Sequence, residues 1–300
     1  MDIPFFSIVI PTFNRTYLLE RAIESVKNQS YKDWELLIVD DGSIDNIISF
    51  ITGIIASEPR IRLLSREKTR LKGPSTCRNI GIEIGRGQFI AFLDSDDYWL
   101  PNRLENICNF IQDTQAEAVY SGAEIKRKDG LHPRFSRSLE IGESLFDFVL
   151  KNNSFIPTPS LVVKAWIAKK SKFNECLTHH EDYDFFIRVG DFCEWKYYDG
   201  MEVIVDWSES TNREINYRDC LWFFQQYKSE SVDSAARKRY LLSIAGEMVS
   251  KAAPYPYLKE YLDLLKKEEF IMNGRYYLQF YFPALFKLLR QTKKNISNFW

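Results

Sequence analysis

Three short runs of apolar residues constrain this chain more than any other feature: FSIVI (Phe6 to Ile10), ELLIV (Glu35 to Val39) and FIAFL (Phe89 to Leu93). Each is too short for a helix of ordinary length and lacks the strict alternation of a half-exposed strand. Each therefore reads as a strand buried on both faces, the pattern of a parallel sheet. Helical patterns separate them. TYLLERAIESVKNQS carries Leu18, Leu19, Ala22, Ile23 and Val26 at helical spacing, and IDNIISFITGIIAS reads as a second helix. RIRLLSRE is a shorter strand, and PSTCRNIGIEIGRG, opened by Pro and Ser, reads as the next helix. Strands alternating with helices require right-handed crossovers, so the expected fold is α/β with a mostly parallel, Rossmann-like central sheet flanked by helices.

The strand ends are as informative as the strands. Pro11-Thr12-Phe13-Asn14 breaks the first, Asp40-Asp41-Gly42-Ser43 the second and Asp94-Ser95-Asp96-Asp97 the last. In open α/β sheets ligands bind beyond the carboxyl ends of strands. If these strands are neighbours, one crevice receives all three ends. Asp94, Asp96 and Asp97 repel one another, and a divalent cation is the simplest compensation. Mg²⁺ and Mn²⁺ prefer oxygen ligands, and Mg²⁺ typically takes one or two carboxylates plus phosphate oxygens and water. Helix capping at LPNRLENICNF is the competing account, and it suits Asp97 best. Asp40 and Asp41 suit either an Asx turn with Gly42 or hydrogen bonding to a ligand.

A second acidic cluster lies in HHEDYDFFIRV, residues 179 to 189. Glu181, Asp182 and Asp184 favour the positive end of a helix dipole, and a carboxylate beside a second acid also suits a general base. His179 and His180 are adjacent and point apart, so they are assigned no metal. The basic run from Arg60 to Lys72, which includes Arg66 and Arg70, reads as a solvated loop, with a contribution to an anionic ligand as the alternative. Arg78, in the helix that follows, is better placed to contact a phosphate bidentately.

Bulk properties narrow the function classes. A net charge of −1 over 300 residues gives no global grip on nucleic acid. Five scattered cysteines without a CxxC pair read as free thiols in a reducing compartment. The N-terminus, MDIPFFSIVIPTFNR, is a poor signal peptide, and no apolar run is long enough to span a bilayer. The expected location is cytoplasmic. Beyond about residue 115 the pattern changes: AEAVYSGAEIKR reads as one strand, and strands, loops and short helices then mix up to about Asp206. From about Arg218 the chain is helical and amphipathic. The expected division is 1–115, 116–215 and 216–300. The C-terminal stretch RYYLQFYFPALFKLLRQTKK is aromatic, then basic, with Pro283 set to kink it. It suits a helix packed on the rest of the chain, an interfacial helix on the inner face of an anionic membrane, or an oligomer contact.

FSIVIPTFNRTYLLERAIESVKNQSYKDWELLIVDDGSIDN resembles the N-terminal half of family-two glycosyltransferases, inverting enzymes with a GT-A fold. The likeness continues through GPSTCRNIGIEIGRGQFIAFLDSDDYWLPNRLE and returns at HEDYDFFIRV. It covers residues 5 to about 110, and less closely 150 to 190, but not the C-terminal helices. The resemblance implies a nucleotide-sugar donor, with Asp41 matching the aspartate that binds uracil and Asp40 beside it. Pro11, Thr12 and Phe13 lie where the family lines the nucleoside pocket, with Asn14 next to them, and Arg78 lies near a position facing the donor. Asp94 and Asp96 match the DxD motif, which holds Mn²⁺ or Mg²⁺, with Asp96 the direct ligand and Ser95 between them. Asp182 matches the catalytic base, and Glu181 is its companion. The implied reaction moves a hexose or N-acetylhexosamine from a UDP-sugar to a glycan or lipid-linked oligosaccharide acceptor.

Other readings compete. A dinucleotide-binding enzyme would need GxGxxG where PTFNRTYLL stands. A calcium-binding EF-hand loop would need Gly where Trp99 stands. A phosphatase using its DxD as nucleophile places that motif on an earlier strand. A degenerate transferase that only binds a nucleotide sugar or a partner is the non-enzymatic alternative.

Overall fold

The computed structural model describes residues 3–45, 47–208, 215–251 and 255–284. The chain divides into two compact units, Met1–Ile215 and Asn216–Trp300.

The first unit opens with a βα alternation. Strand β1 (Phe6–Thr12) is followed by α1 (Thr16–Lys27), β2 (Trp34–Asp40), α2 (Ile47–Ser57), β3 (Ile61–Ser65), α3 (Pro74–Ile84) and β4 (Phe89–Phe92). Every residue of β1, β2 and β4 is buried, as continuous apolar runs require. The α1 stripe Leu19, Ala22, Ile23 and Val26 is buried as well. Strand β1 does not break at Pro11: it runs on, with Pro11 beside Val39 and Thr12 beside Asp40. The reason lies in the ladder. Val9 O accepts from Leu93 and Thr12 O from Asp41, so successive residues face opposite neighbours. Pro11 thus faces the β4 side, where pairing has already ended at Val9, and its missing N–H costs nothing there.

The remaining elements of this unit are β5 (Tyr98–Trp99), α4 (Arg103–Thr114), β6 (Ala118–Ser121), β7 (Ala123–Arg127), β8 (Gly130–Arg134), α5 (Leu145–Leu150), β9 (Val162–Lys164), α6 (Ala165–Ser171), α7 (Glu181–Gly190), β10 (Trp195–Tyr198) and β11 (Val203–Asp206). A seven-stranded sheet has the order β10-β6-β9-β4-β1-β2-β3. Its strands run parallel except β9, which is antiparallel to both β4 and β6. A second sheet has the order β5-β11-β7-β8. AEAVYSGAEIKR is therefore two strands in two sheets, with Gly122 between them. Apolar alternation alone cannot show a change of partner within one run. Helix α3 lies close to β1: a Cβ at Gly81 would stand 2.3 Å from a Val9 methyl carbon, so only glycine permits this approach.

The second unit is helical: α8 (Tyr217–Tyr227), α9 (Ser234–Ser250), α10 (Tyr255–Lys267) and α11 (Gly274–Tyr281). Asp233 caps α9 by accepting from the Ala235 and Ala236 N–H groups at 3.0 Å. Tyr240 and Tyr261, both buried, donate to the carbonyls of Cys220 and Tyr217 at 3.0 and 2.7 Å. Helix α11 stops two residues before Pro283. The basic stretch that follows lies outside the described residues. Among those described, no helix is long and apolar enough to cross a membrane.

Candidate active site

Because β4, β1 and β2 are neighbours, their carboxyl ends open into one cavity of about 370 Å³. Its walls take Pro11 and Thr12 from β1, Phe13 from just beyond it, Asp41 from beyond β2, Arg78 from α3, and Asp94, Ser95 and Asp96 from the turn after β4. Arg15, Pro74 and Cys77 complete the lining. Burial, with the charge of Asp41 nearby, pushes the Cys77 thiol up to about 12, so it faces the cavity as a neutral group.

The two acids of VDDGS have separate tasks. The Asp40 carboxylate accepts from the N–H groups of Ser43 at 3.0 Å and Gly42 at 3.3 Å, which closes the turn. Gly42 makes that turn with φ at 87°, the left-handed region that glycine enters without strain. Asn14 is tied to the same turn: its N–H donates to Ser43 Oγ at 2.9 Å, and its side-chain oxygen accepts from Ile44 N at 2.8 Å. Asp40 and Asn14 thus shape the rim from behind, and neither is among the lining residues. Asp41 faces the cavity and is paired with Arg66.

That pairing corrects the solvated reading of the basic run. Arg66 also donates to the carbonyl of Arg70 at 2.8 Å. Arg70 pairs with Glu83 at 3.0 Å and Glu175 at 2.5 Å. Lys72 Nζ stands 3.5 Å from the centre of the Phe13 ring. The segment folds back over the end of β2, a tertiary placement that its composition does not disclose.

In the acidic turn each carboxylate has a different neighbour. Arg78 is buried and donates to Asp94 at 2.6 Å, and its other terminal nitrogen lies 3.7 Å from Glu181. Burial works against the Arg78 charge, but Asp94, Glu181 and Asp182 together outweigh it and hold the proton more firmly than usual. One guanidinium therefore joins the DSD turn to the start of α7. Asp96 is paired with Arg15. Burial, then the charge of Asp94, pushes the Asp96 carboxyl above the usual range. Asp97 is buried and accepts from Asp206 N at 2.8 Å. It does not cap α4, which starts after Asn102 without a side-chain cap. Asp97 instead faces β11, because the backbone bond to Asp206 holds its carboxylate there.

Arg15, Arg21 and Asp206 belong to this arrangement and carried no sequence signal beyond their residue type. Arg21 pairs with Asp206 at 2.5 Å and donates to the Asp96 carbonyl, and Lys126 lies 3.0 Å from Asp206. These contacts hold the acidic turn against β11. On α7, Asp182 is partly exposed in the first turn and accepts from Tyr183 N at 2.9 Å. Glu181 and Asp184 are buried, and Asp184 is paired with Arg188 one turn along. His180 stacks face to face on Tyr183, with ring centres 5.1 Å apart.

The donor set suits a hard divalent cation. Among the described residues no three His, Cys, Asp or Glu side chains are placed to hold a metal by themselves. Asp94 and Asp96 offer carboxylate oxygens to one cavity, and each now has an arginine as counter-charge. Two carboxylates are what Mg²⁺ or Mn²⁺ needs when a diphosphate and water supply the remaining ligands.

Residues 7–177 match the model of glycosyl transferase family 2. One curated relative is the Escherichia coli UDP-Glc:alpha-D-GlcNAc-diphosphoundecaprenol beta-1,3-glucosyltransferase WfgD. It is 31% identical over 193 residues, which cover 63% of this chain and 71% of WfgD. Among solved structures, S. aureus TarS 1-349 in complex with UDP-GlcNAc superimposes with a TM-score of 0.61 at 16% identity, covering 84% of this chain and 82% of that one. The mannosyltransferase PcManGT of Pyrobaculum calidifontis, in complex with GDP-Man and Mn²⁺, gives a TM-score of 0.54 at 13% identity, covering 95% and 86%. At these identities the structural likeness shows the fold, the GT-A arrangement expected for the first unit.

Proposed function

Because this chain belongs to glycosyl transferase family 2, we propose that it transfers a hexose or N-acetylhexosamine from a UDP-sugar to a hydroxyl of a surface polysaccharide or lipid-linked oligosaccharide, with inversion. The observation that carries this reading is the position of Arg78, between the Asp94 carboxylate of the cavity and Glu181 beside Asp182. It brings a donor cavity and a candidate base to opposite sides of one group.

Each residue has a role in this reading. Asp41 accepts a hydrogen bond from the base, in a pocket walled by Pro11, Thr12 and Phe13. Asp94 and Asp96 would hold the divalent ion, and Arg15, which now neutralises Asp96, lines the same cavity as a cation for the diphosphate. When bound, the ion offsets the charge of the nucleoside diphosphate leaving group. Asp182 takes the proton of the attacking hydroxyl. A glycosidase needs a carboxylic acid to protonate a poor leaving oxygen as well as a second carboxylate. A diphosphate is already a good leaving group, so one base suffices. A single displacement without a covalent intermediate inverts the anomeric centre.

WfgD is named for a UDP-glucose donor and a diphosphoundecaprenol acceptor, which supports a lipid-linked acceptor here. UDP-GlcNAc in TarS supports a UDP-sugar donor, and Mn²⁺ in PcManGT supports the metal. Such an acceptor places the reaction at the inner face of the membrane, with the C-terminal helices as the peripheral contact. The test is a thermal-shift screen of nucleotide sugars with and without Mn²⁺, followed by an assay of nucleotide release. A Tm raised by UDP-sugars only with Mn²⁺, together with UDP release, is expected. No shift with any nucleotide sugar overturns the reading, and binding without turnover leaves a degenerate transferase.

A further inference from the structure

Outside the donor cavity, four side chains from separate segments of the first unit meet in one cluster. The Phe155 and Trp207 rings stand edge to face, with centres 6.4 Å apart. The Arg134 guanidinium lies 5.1 Å from the Phe155 ring centre, and that of Arg127 lies 5.8 Å from the Trp207 ring centre. Trp207 is 47% exposed, an unusual situation for the largest apolar side chain. Both arginines are exposed, and neither is ion-paired with a carboxylate among the described residues. The two cations therefore flank an aromatic pair in which Phe155 is half-buried against the core and Trp207 is open to solvent.

The Trp207 side of the cluster is tied to the acidic turn through Asp206. Trp207 directly follows Asp206, whose N–H bonds Asp97 and whose carboxylate pairs with Arg21. Trp207 N also donates to the Lys126 carbonyl at 2.8 Å, which ties it to β7. On the Phe155 side, the carbonyl of Pro159 accepts from Trp99 Nε1 at 3.0 Å.

We propose that Phe155, Trp207, Arg127 and Arg134 form the acceptor subsite and that it takes an anionic sugar, a glycosyl phosphate or diphosphate. The apolar face of a pyranose packs on the indole and phenyl rings, and the phosphate finds unpaired guanidinium groups. A neutral sugar would use only the aromatic half. This inference rests on the transferase reading, because it names the acceptor class of that same site.

The test is calorimetric titration of the full chain, saturated with UDP and Mn²⁺ so that the donor cavity is filled. The probes are N-acetylglucosamine 1-phosphate and N-acetylglucosamine. The sugar phosphate is expected to bind at least about tenfold more tightly than the neutral sugar, the worth of one charge-assisted contact. Trp207→Ala and the double variant Arg127→Gln/Arg134→Gln are each expected to weaken sugar-phosphate binding about tenfold. Trp207→Phe keeps most of it, and UDP affinity does not change in any variant. Equal affinity for the two probes, or sugar-phosphate binding untouched by the substitutions, overturns the proposal. Wild-type protein that binds sugar phosphate through these residues but not UDP contradicts the donor reading and leaves the subsite standing.

Discussion

The Arg78 guanidinium lies 2.6 Å from the Asp94 carboxylate, in a position where Arg78 is only 4% exposed while Asp94 faces the cavity. A buried cation is held there by the acids around it, so the pair couples the stability of the domain to the geometry of the cavity.

Arg78→Met removes the guanidinium at nearly constant chain length. It leaves Asp94 and Glu181 without their shared counter-charge, and breaking a buried pair from one side costs about 3 kcal/mol. Urea denaturation at neutral pH should show a lower midpoint with unchanged slope. A midpoint equal to wild type would mean that Arg78 is not the group neutralising these acids.

Arg21 touches no ligand in this account. It fixes Asp206 and the Asp96 carbonyl, and so the orientation of the acidic turn. Losing such a supporting contact typically weakens metal affinity by about 10- to 100-fold. Arg21→Ala should raise the Kd for Mn²⁺, read by Mn²⁺ paramagnetic resonance with UDP present, by at least the lower figure. Unaltered Mn²⁺ affinity would show that the turn keeps its shape without Arg21.

Glu143 gives a pH-dependent test away from the cavity. Burial alone would raise its pKa, but Arg137 at 2.6 Å and Lys151 at 2.6 Å hold it down at about 2 against an ordinary 4.5. The folded state keeps this carboxylate ionised where the unfolded chain protonates it. Its stabilisation is therefore complete above about pH 5 and fades as pH falls toward the folded value. Glu143→Gln should cost about 2 kcal/mol at pH 7, and the gap to wild type should narrow as pH is lowered from about 5 to 3. A constant gap across that range would rule out the ionic origin.

Asp96→Asn keeps the size of the side chain but removes a charged oxygen donor. UDP affinity measured with Mn²⁺ should fall to that measured without it. Mn²⁺-enhanced binding that persists in this variant would move the metal ligand elsewhere.

Much of this molecule can be read from its sequence, and the limits have physical causes. Strands β1, β2 and β4 are visible because burial on both faces demands an apolar run, and their polar ends mark where a ligand could sit. The reversed strand β9 is three residues long and lies near two prolines, so its place between β4 and β6 leaves almost no local trace. The site divides in the same way. Asp41, Asp94, Asp96 and Asp182 stand in recognisable motifs. Their partners do not, since Asp206 is 109 residues from Asp97 and Arg15 is 81 residues from Asp96. The pairing of such charges is set by how loops fold back on the sheet, which hydrophobic periodicity does not encode. The basic run shows this most plainly: Arg66 looks like one of many solvated cations until the chain brings it onto Asp41.

In the proposed mechanism Asp182 is the base for sugar transfer from a nucleotide bound at Asp41, Asp94 and Asp96. The most direct measurement compares single-turnover transfer and UDP binding in wild type and Asp182→Asn, with a UDP-sugar found by the screen and Mn²⁺ present. Unchanged UDP affinity and transfer slowed by about 10²- to 10⁴-fold are expected. Transfer by Asp182→Asn at the wild-type rate would contradict the mechanism.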